Sequence, residues 1–160
     1  MSAQYPPFMF AYGCLGEVFS KIREHDTPTV FSHEFLRFTL GFTRESDRAF
    51  IPLAKRTGLL TTEGKPTGLY ERLRDPAQSH AVVAEAMKQG YPMFYAKHPD
   101  AHELDRKSLA ALVAEVTGME LGHASARAIV GTFLALKTLA SPRVEVERAE
   151  GRRKVVERRG

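Results

Sequence analysis

The apolar residues of this 160-residue chain recur every three or four positions over most of its length, which is the spacing of an amphipathic helix. The pattern predicts helices over 15–24, 79–97, 105–117 and 123–139. Asp105 offers an N-cap for the third of these helices, and Gly118 follows it as a stop. Gly90 and Pro92 predict a bend inside the second. The sequence therefore predicts a mainly α-helical protein.

A second pattern follows the first helix, where two short helices are predicted. Ser46 or Asp47 caps the later of them, which runs to about position 57, and Pro52 inside it predicts a kink or an early break. The next residues, 59–67, turn at Glu63-Gly64, which predicts a small β-hairpin or extended wing. A short helix comes after the wing. Three helices, a hairpin and a returning helix are the order of a winged helix-turn-helix.

These elements divide the chain into four parts. Residues 1–12, which contain Tyr5-Pro6-Pro7, predict an extended arm. A winged helix-turn-helix-like half with a small β-hairpin wing, over 13–75, is expected to pack on a helical bundle half over 76–141. The tail, 142–160, alternates charged residues with valine. We expect it to be a basic, flexible and solvated end, and the alternative is a strand added to a partner.

The net charge of +4 is concentrated at the end of the chain. The last ten residues hold five basic residues and one acidic residue, so residues 1–150 contain 18 basic and 18 acidic residues. This balance excludes a uniformly basic nucleic-acid coat protein. No apolar run approaches the roughly 20 residues that a membrane-spanning helix needs. The single cysteine, Cys14, and the absence of a signal-peptide pattern in residues 1–12 predict a cytoplasmic protein.

No catalytic or metal-binding motif is found in the sequence. Gly64-Lys65-Pro66-Thr67 is similar to the end of a phosphate-binding loop, but the upstream glycine has the wrong spacing and Pro66 takes the hydroxyl position. His98 and His102 are four residues apart, but Pro99 between them disfavours the helical turn that would let them share a metal. We therefore expect no enzyme, no metal site and no cofactor.

Basic residues on the predicted helix around Pro52 support nucleic-acid binding as the leading hypothesis. One stripe of that helix, opposite its apolar face, holds Arg44, Arg48, Ile51 and Lys55. In a helix-turn-helix this helix lies in the major groove of double-stranded DNA, where basic side chains reach phosphates or guanine edges. Glu45 and Asp47 in its first turn would oppose a phosphate. The candidate nucleic-acid-binding residues are Arg44, Arg48, Lys55, Arg56 and Lys65.

Aromatic residues in the arm support an alternative, a non-catalytic protein-interaction or scaffold module. The arm holds Tyr5, Phe8, Phe10 and Tyr12. This density of aromatic side chains suggests docking on a protein partner or on a second copy of the chain, which would make the protein a homo-oligomer. The other interpretation of the arm is that it folds back onto its own core.

The run Leu40-Gly41-Phe42, Ser46-Asp47-Arg48-Ala49 and Ile51-Pro52-Leu53 resembles a bacterial family of uncharacterised domains, known as a domain of unknown function. The likeness covers about 12–140 and includes Gly64-Lys65-Pro66-Thr67, whereas the tail departs from the family's pattern. The resemblance implies a small helical domain with no established activity, so it assigns a role to no residue. The leading hypothesis is a cytoplasmic bacterial DNA-binding or regulatory domain that acts in transcription regulation.

Overall fold

A computed structural model describes residues 5–141, which are mainly helical. The α-helices of this part of the chain are α1 (Leu15–Glu24), α2 (Phe50–Arg56), α3 (Gly68–Leu73), α4 (Ser79–Gly90), α5 (Pro92–Lys97), α6 (Arg106–Thr117) and α7 (Ala124–Leu139). Short 3₁₀ helices lie at Tyr12–Cys14, Glu45–Ala49 and Ala101–Glu103, and a π-helical turn lies at Phe35–Thr39. The predicted helical class is confirmed. The predicted tail at 142–160 lies outside the described residues.

Helix ends follow the signals that the sequence contains. The Asp105 carboxylate accepts a hydrogen bond from the Ser108 N–H at 2.7 Å and begins α6. Gly118 ends that helix with a positive φ of 76°, a conformation that glycine adopts without strain. Gly90 closes α4 and Pro92 begins α5, because a proline lacks the N–H that would continue the preceding ladder. The predicted bend is a change from one helix to the next.

The helical segment around Pro52 starts earlier than predicted and changes its type. Glu45–Ala49 is a 3₁₀ helix, and Arg44 is its N-cap, in place of Ser46 or Asp47. The buried Asp47 carboxylate accepts a hydrogen bond from the Arg44 backbone N–H at 3.1 Å and closes the first turn. The chain becomes α-helical at α2, and Pro52 lies in the first turn of that helix. The sequence predicted a kink or an early break at Pro52, and the structure has a change from a 3₁₀ helix to an α-helix just before it.

The predicted β-hairpin wing is not formed, and residues 5–141 contain no strand. The segment after α2 has one isolated antiparallel bridge, between Leu60 and Pro66. Pro66 has no backbone N–H to extend a ladder. In the turn between Leu60 and Pro66, the Gly64 N–H donates a hydrogen bond to the Thr61 carbonyl at 2.9 Å. The Gly64 carbonyl accepts a hydrogen bond from the Phe31 N–H at 2.8 Å. The turn is therefore held against the body and does not project as a wing.

One hydrophobic core extends through both predicted halves, 13–75 and 76–141. Helix α7 packs against α1, α4 and α6, and so it joins elements from the two halves. The rings of Tyr91, Phe94 and Phe133 form a buried cluster in which the ring centroids are 4.9 to 5.3 Å apart. Aromatic pairs in such stacked and edge-to-face arrangements stabilise a core beyond the area that they bury.

The described part of the arm, 5–12, folds back onto this core. Met9 is 1% exposed, and its backbone N–H donates to the Thr132 hydroxyl of α7 at 3.1 Å. The buried Tyr91 hydroxyl donates to the Pro7 carbonyl at 2.6 Å. Of the two interpretations of the arm, the structure favours the one in which these residues pack on their own body.

Candidate interaction surfaces

Arg44, the first of the predicted nucleic-acid-binding residues, is engaged with a buried carboxylate. Its guanidinium Nη2 lies 2.9 Å from Asp47 Oδ1, and its Nε lies 3.3 Å from Asp47 Oδ2. The hydrogen bond and the negative charge of Asp47 raise the pKa of the Arg44 guanidinium above its ordinary value. Asp47 is 2% exposed, so Arg44 is the counter-charge that this carboxylate needs. Arg44 therefore has a structural role already.

Arg48 is also paired, and the predicted stripe is interrupted after it. Its Nη1 lies 3.0 Å from Glu45 Oε1, and its Nε lies 3.4 Å from His33 Nδ1. Ile51, the next member of the stripe, is 6% exposed and belongs to the core. The 3₁₀ helix has about three residues per turn, so the spacing of 3.6 does not hold through this segment. The stripe required Ile51 to be exposed, but its neighbour Pro52 is the exposed residue.

The other three predicted residues are exposed, with Lys55 and Arg56 consecutive in α2 and Lys65 in the turn that follows. Arg56 Nη2 donates to the Tyr5 carbonyl at 2.9 Å and so binds the arm to α2. Lys55 and Lys65 form no hydrogen bond or ion pair through their side chains with the described residues. The hydrogen bond that Glu63 accepts from the Thr62 hydroxyl is the main cause that lowers the pKa of the Glu63 carboxyl. The positive charge of the nearby Lys65 lowers this pKa further. The surface that holds the five residues is mixed in charge.

A small cavity is lined by both Arg44 and Arg48. It has a volume of about 220 Å³, and Phe38 and His33 also line it. The Phe38 side chain is 74% exposed, and the Arg37 guanidinium lies 5.4 Å from the centre of its ring. Lys55, Arg56 and Lys65 do not line this cavity.

Cys14 lies in a protected position. The thiol Sγ donates to Asp47 Oδ1 at 3.7 Å, and burial is the main cause that raises the pKa of the thiol. A thiol with a raised pKa is a poor nucleophile, so Cys14 acts as a small core residue. Among the described residues there is no group of three histidine, cysteine, aspartate or glutamate side chains that could hold a metal. No helix in the described part of the chain is long and apolar enough to cross a membrane.

A larger groove lies beside α6 and α7, and two aromatic residues of the arm help to line it. We call it the α6–α7 groove. It has a volume of about 470 Å³, and its lining includes Phe10, Tyr12, Leu121, Arg106 and Arg127. Phe10 and Leu121 are each 61% exposed, and none of the described residues that line the groove is acidic. The aromatic arm residues Phe10 and Tyr12 were the sequence signal for a docking surface, whereas no pattern in the sequence pointed to Leu121, Arg106 or Arg127.

The two arginines of the α6–α7 groove differ from those of the predicted stripe. Arg106 is the first residue of α6, and Arg127 lies in the first turns of α7. Neither side chain forms an ion pair or a hydrogen bond with another residue of 5–141. The groove therefore combines exposed apolar side chains with two positive charges that have no counter-charge in the described protein.

Comparison with protein families places the chain in one of them. The model of a family of unknown function, DUF5343, matches residues 7–146. The chain belongs to this family. The match confirms the resemblance to a domain of unknown function, and it covers the whole helical body. Comparisons of this DUF5343 chain with curated proteins and with solved structures give no match. The surfaces of the DUF5343 domain, described above, are thus the basis for any functional proposal.

Proposed function

We propose that this DUF5343 chain is a non-catalytic protein-interaction module that docks a partner in the α6–α7 groove. One observation carries the proposal. Phe10 and Leu121, which are distant in the sequence and 61% exposed each, line the same groove. Large apolar side chains that are exposed together mark surfaces that a partner covers, whereas single exposed apolar residues need no explanation.

The chemistry of the α6–α7 groove indicates the kind of partner. Aromatic side chains and arginine are enriched at the centres of protein interfaces. The planar guanidinium groups of Arg106 and Arg127 match carboxylates, which they bind with paired N–H donors. A partner segment that carries aspartate or glutamate beside apolar side chains would cover Phe10 and Leu121 and neutralise both arginines. A basic partner would place further positive charge beside these two arginines, and the like charges would repel.

Fluorescence anisotropy with a designed probe tests this proposal. The probe is a fluorescein-labelled peptide that alternates leucine and glutamate, and the matched probe has lysine in place of each glutamate. We expect saturable binding of the glutamate peptide and none of the lysine peptide. Phe10→Ser with Leu121→Ser should weaken binding by roughly tenfold or more, because buried apolar anchors supply most of the energy of an interface. Phe38→Ser, at another exposed aromatic residue, is the matched control.

Charge reversal gives a sharper test. The variant Arg106→Glu with Arg127→Glu should lose the glutamate peptide and bind the lysine peptide, since the charge complementarity is inverted. Circular dichroism checks that the variant is folded. Equal affinity of the wild type for the two peptides would contradict the proposal. Light scattering that shows dimers, abolished by Phe10→Ser with Leu121→Ser, would identify a second copy of the chain as the occupant instead.

Binding of double-stranded DNA is a second candidate function. It is favoured by Lys55 and Lys65, which are exposed and unpaired within residues 5–141. Arg48 could join them by exchanging Glu45 for a phosphate, because an exposed ion pair contributes only about 0–1 kcal/mol. The mixed charge of this surface makes it the weaker candidate, because interfaces for DNA are strongly positive.

A further inference from the structure

A separate pocket lies between α4, α5 and the end of α7, on residues that the α6–α7 groove does not use. It has a volume of about 430 Å³, which is in the range of small-molecule sites. Its apolar lining includes Met87, Ala84 and the ring of Tyr95. The imidazole of His102 stacks on the Tyr95 ring, with the centroids 6.0 Å apart and the planes 29° from parallel. The pocket thus offers a flat aromatic wall and an apolar floor.

Polar groups converge on the same pocket. Lys88 and Lys137 line it with positive charge, and Glu103 is the one acidic residue of its described lining. Lys137 Nζ lies 3.4 Å from the Leu104 carbonyl, a long contact that leaves the ammonium group with hydrogens for another acceptor. Lys88 forms no ion pair through its side chain with residues 5–141.

The Tyr95 hydroxyl is a further donor, and it has no acceptor among residues 5–141. Burial raises the pKa of Tyr95 to about 12, so the hydroxyl keeps its hydrogen at neutral pH. It donates to no other group in the described part of the chain. Tyr95, Lys88 and Lys137 line one pocket and each carries a hydrogen-bond donor at its polar end, and a set of donors binds an acceptor with negative charge.

We infer that this pocket binds a small organic anion, a monocarboxylate with an aromatic or aliphatic body. The body packs on Met87, Ala84 and the ring of Tyr95. The carboxylate accepts hydrogen bonds from Lys88, Lys137 or the Tyr95 hydroxyl. Glu103 at the same pocket disfavours ligands with several negative charges, because like charges repel. The inference is independent of the docking proposal, since none of the described residues lines both sites.

An NMR titration of the full chain with 4-phenylbutyrate tests the inference. Its amide and its amine, 4-phenylbutyramide and 4-phenylbutylamine, are matched probes without charge and with positive charge. We expect saturable shifts of the backbone amides of His102, Glu103 and Ser141 with the carboxylate. The affinity for the amide should be about tenfold lower, because charge-assisted hydrogen bonds are about twice as strong as neutral ones. The amine should not bind there.

Three variants separate a site from a passive cavity. Lys137→Gln should weaken binding of 4-phenylbutyrate about tenfold, and Lys107→Gln, at an exposed lysine outside the pocket, should leave it unchanged. Tyr95→Phe keeps the aromatic wall and should weaken binding a few-fold. Shifts that map to Phe10 and Leu121 instead would overturn the inference. Equal binding of the carboxylate and the amine, or full affinity of Lys137→Gln, would overturn it as well.

Discussion

The ring of Tyr12 lies directly against the backbone of Gly131 in α7, so closely that a Cβ on Gly131 would be 2.3 Å from Tyr12 Cζ. No real Cβ atom makes such a contact, and the glycine is therefore required by the position of the ring. Tyr12 also lines the α6–α7 groove. A glycine inside a helix, which by propensity alone is unfavourable, thus places one wall of the candidate docking surface.

Gly131→Ala tests this relationship. Alanine is about 1 kcal/mol better than glycine in a helix interior, but the added methyl group must displace the Tyr12 ring, which costs about 1–3 kcal/mol in a packed site. We expect a lower free energy of unfolding in urea and weaker binding of the glutamate peptide. The double variant Gly131→Ala with Tyr12→Ala should be less destabilised than the two single changes predict. A more stable single variant that binds normally would contradict the relationship.

Thr132→Val tests how the arm is held on the core. The Thr132 hydroxyl accepts from the Met9 N–H at 3.1 Å and lies 2.7 Å from the Ala128 carbonyl, to which it donates. Valine has nearly the same shape and leaves the buried Met9 N–H without an acceptor, so we expect a loss of about 1–3 kcal/mol in urea unfolding. Thr132→Ser keeps the hydroxyl and is the control for the hydrogen bond. Equal stability of the valine variant and the wild type would show that the arm is not held by this bond.

The pH dependence of stability should reveal the cap of α6. The Ser108 backbone N–H, followed by its side-chain hydroxyl, lowers the pKa of the Asp105 carboxyl in the folded state. A lowered pKa contributes stability that is present above the unfolded-state pKa of about 3.9 and is lost as the pH falls through the lower folded-state value. Asp105→Asn keeps a capping oxygen without the charge.

We therefore expect the wild type to be more stable than Asp105→Asn at pH 7, with a difference that shrinks below about pH 4. Urea unfolding midpoints measured at pH 7, 5, 4 and 3 check this expectation. A difference that stays constant with pH would mean that the charge of Asp105 does not favour the folded state.

Double-stranded DNA provides the test of the second candidate function. If Arg48 and Lys55 contact phosphates, Arg48→Ala with Lys55→Ala should weaken binding of a random duplex and reduce the slope of log affinity against log salt by about 2. Fluorescence anisotropy at several salt concentrations measures both. Arg106→Ala with Arg127→Ala, in the α6–α7 groove, is the matched control. Unchanged affinity and slope in the first variant would remove this surface as the DNA contact.

Local signals determined the helices of this chain. Helix α1 follows the repeat of Leu15, Val18, Phe19 and Ile22, and all four are buried. The start of α6 at the Asp105 cap and its end at Gly118 were equally predictable. In each case the physical cause lies within a few residues, since apolar spacing, capping hydrogen bonds and glycine backbone freedom act over one or two helical turns.

The predicted wing and the predicted basic stripe depended on contacts that local sequence signals do not determine. The turn at Glu63-Gly64 was predictable, but its pairing depends on the Phe31 N–H, which donates to the Gly64 carbonyl. The stripe assumed one regular helix, and the buried Asp47 carboxylate closes a 3₁₀ turn in its place. The spacing of residues along one segment predicts neither the hydrogen bond from Phe31 nor the burial of Asp47.

The sequence by itself determined the helical class, most helix bounds and the family to which the chain belongs. Only the tertiary structure decided which side chains share a surface. Phe10 and Leu121 meet at one groove because the Met9 N–H donates to Thr132, a residue 123 positions later in the chain, and so binds the arm to α7. Contacts at this separation depend on how the helices pack, and packing is a property of the whole core, not of any one segment.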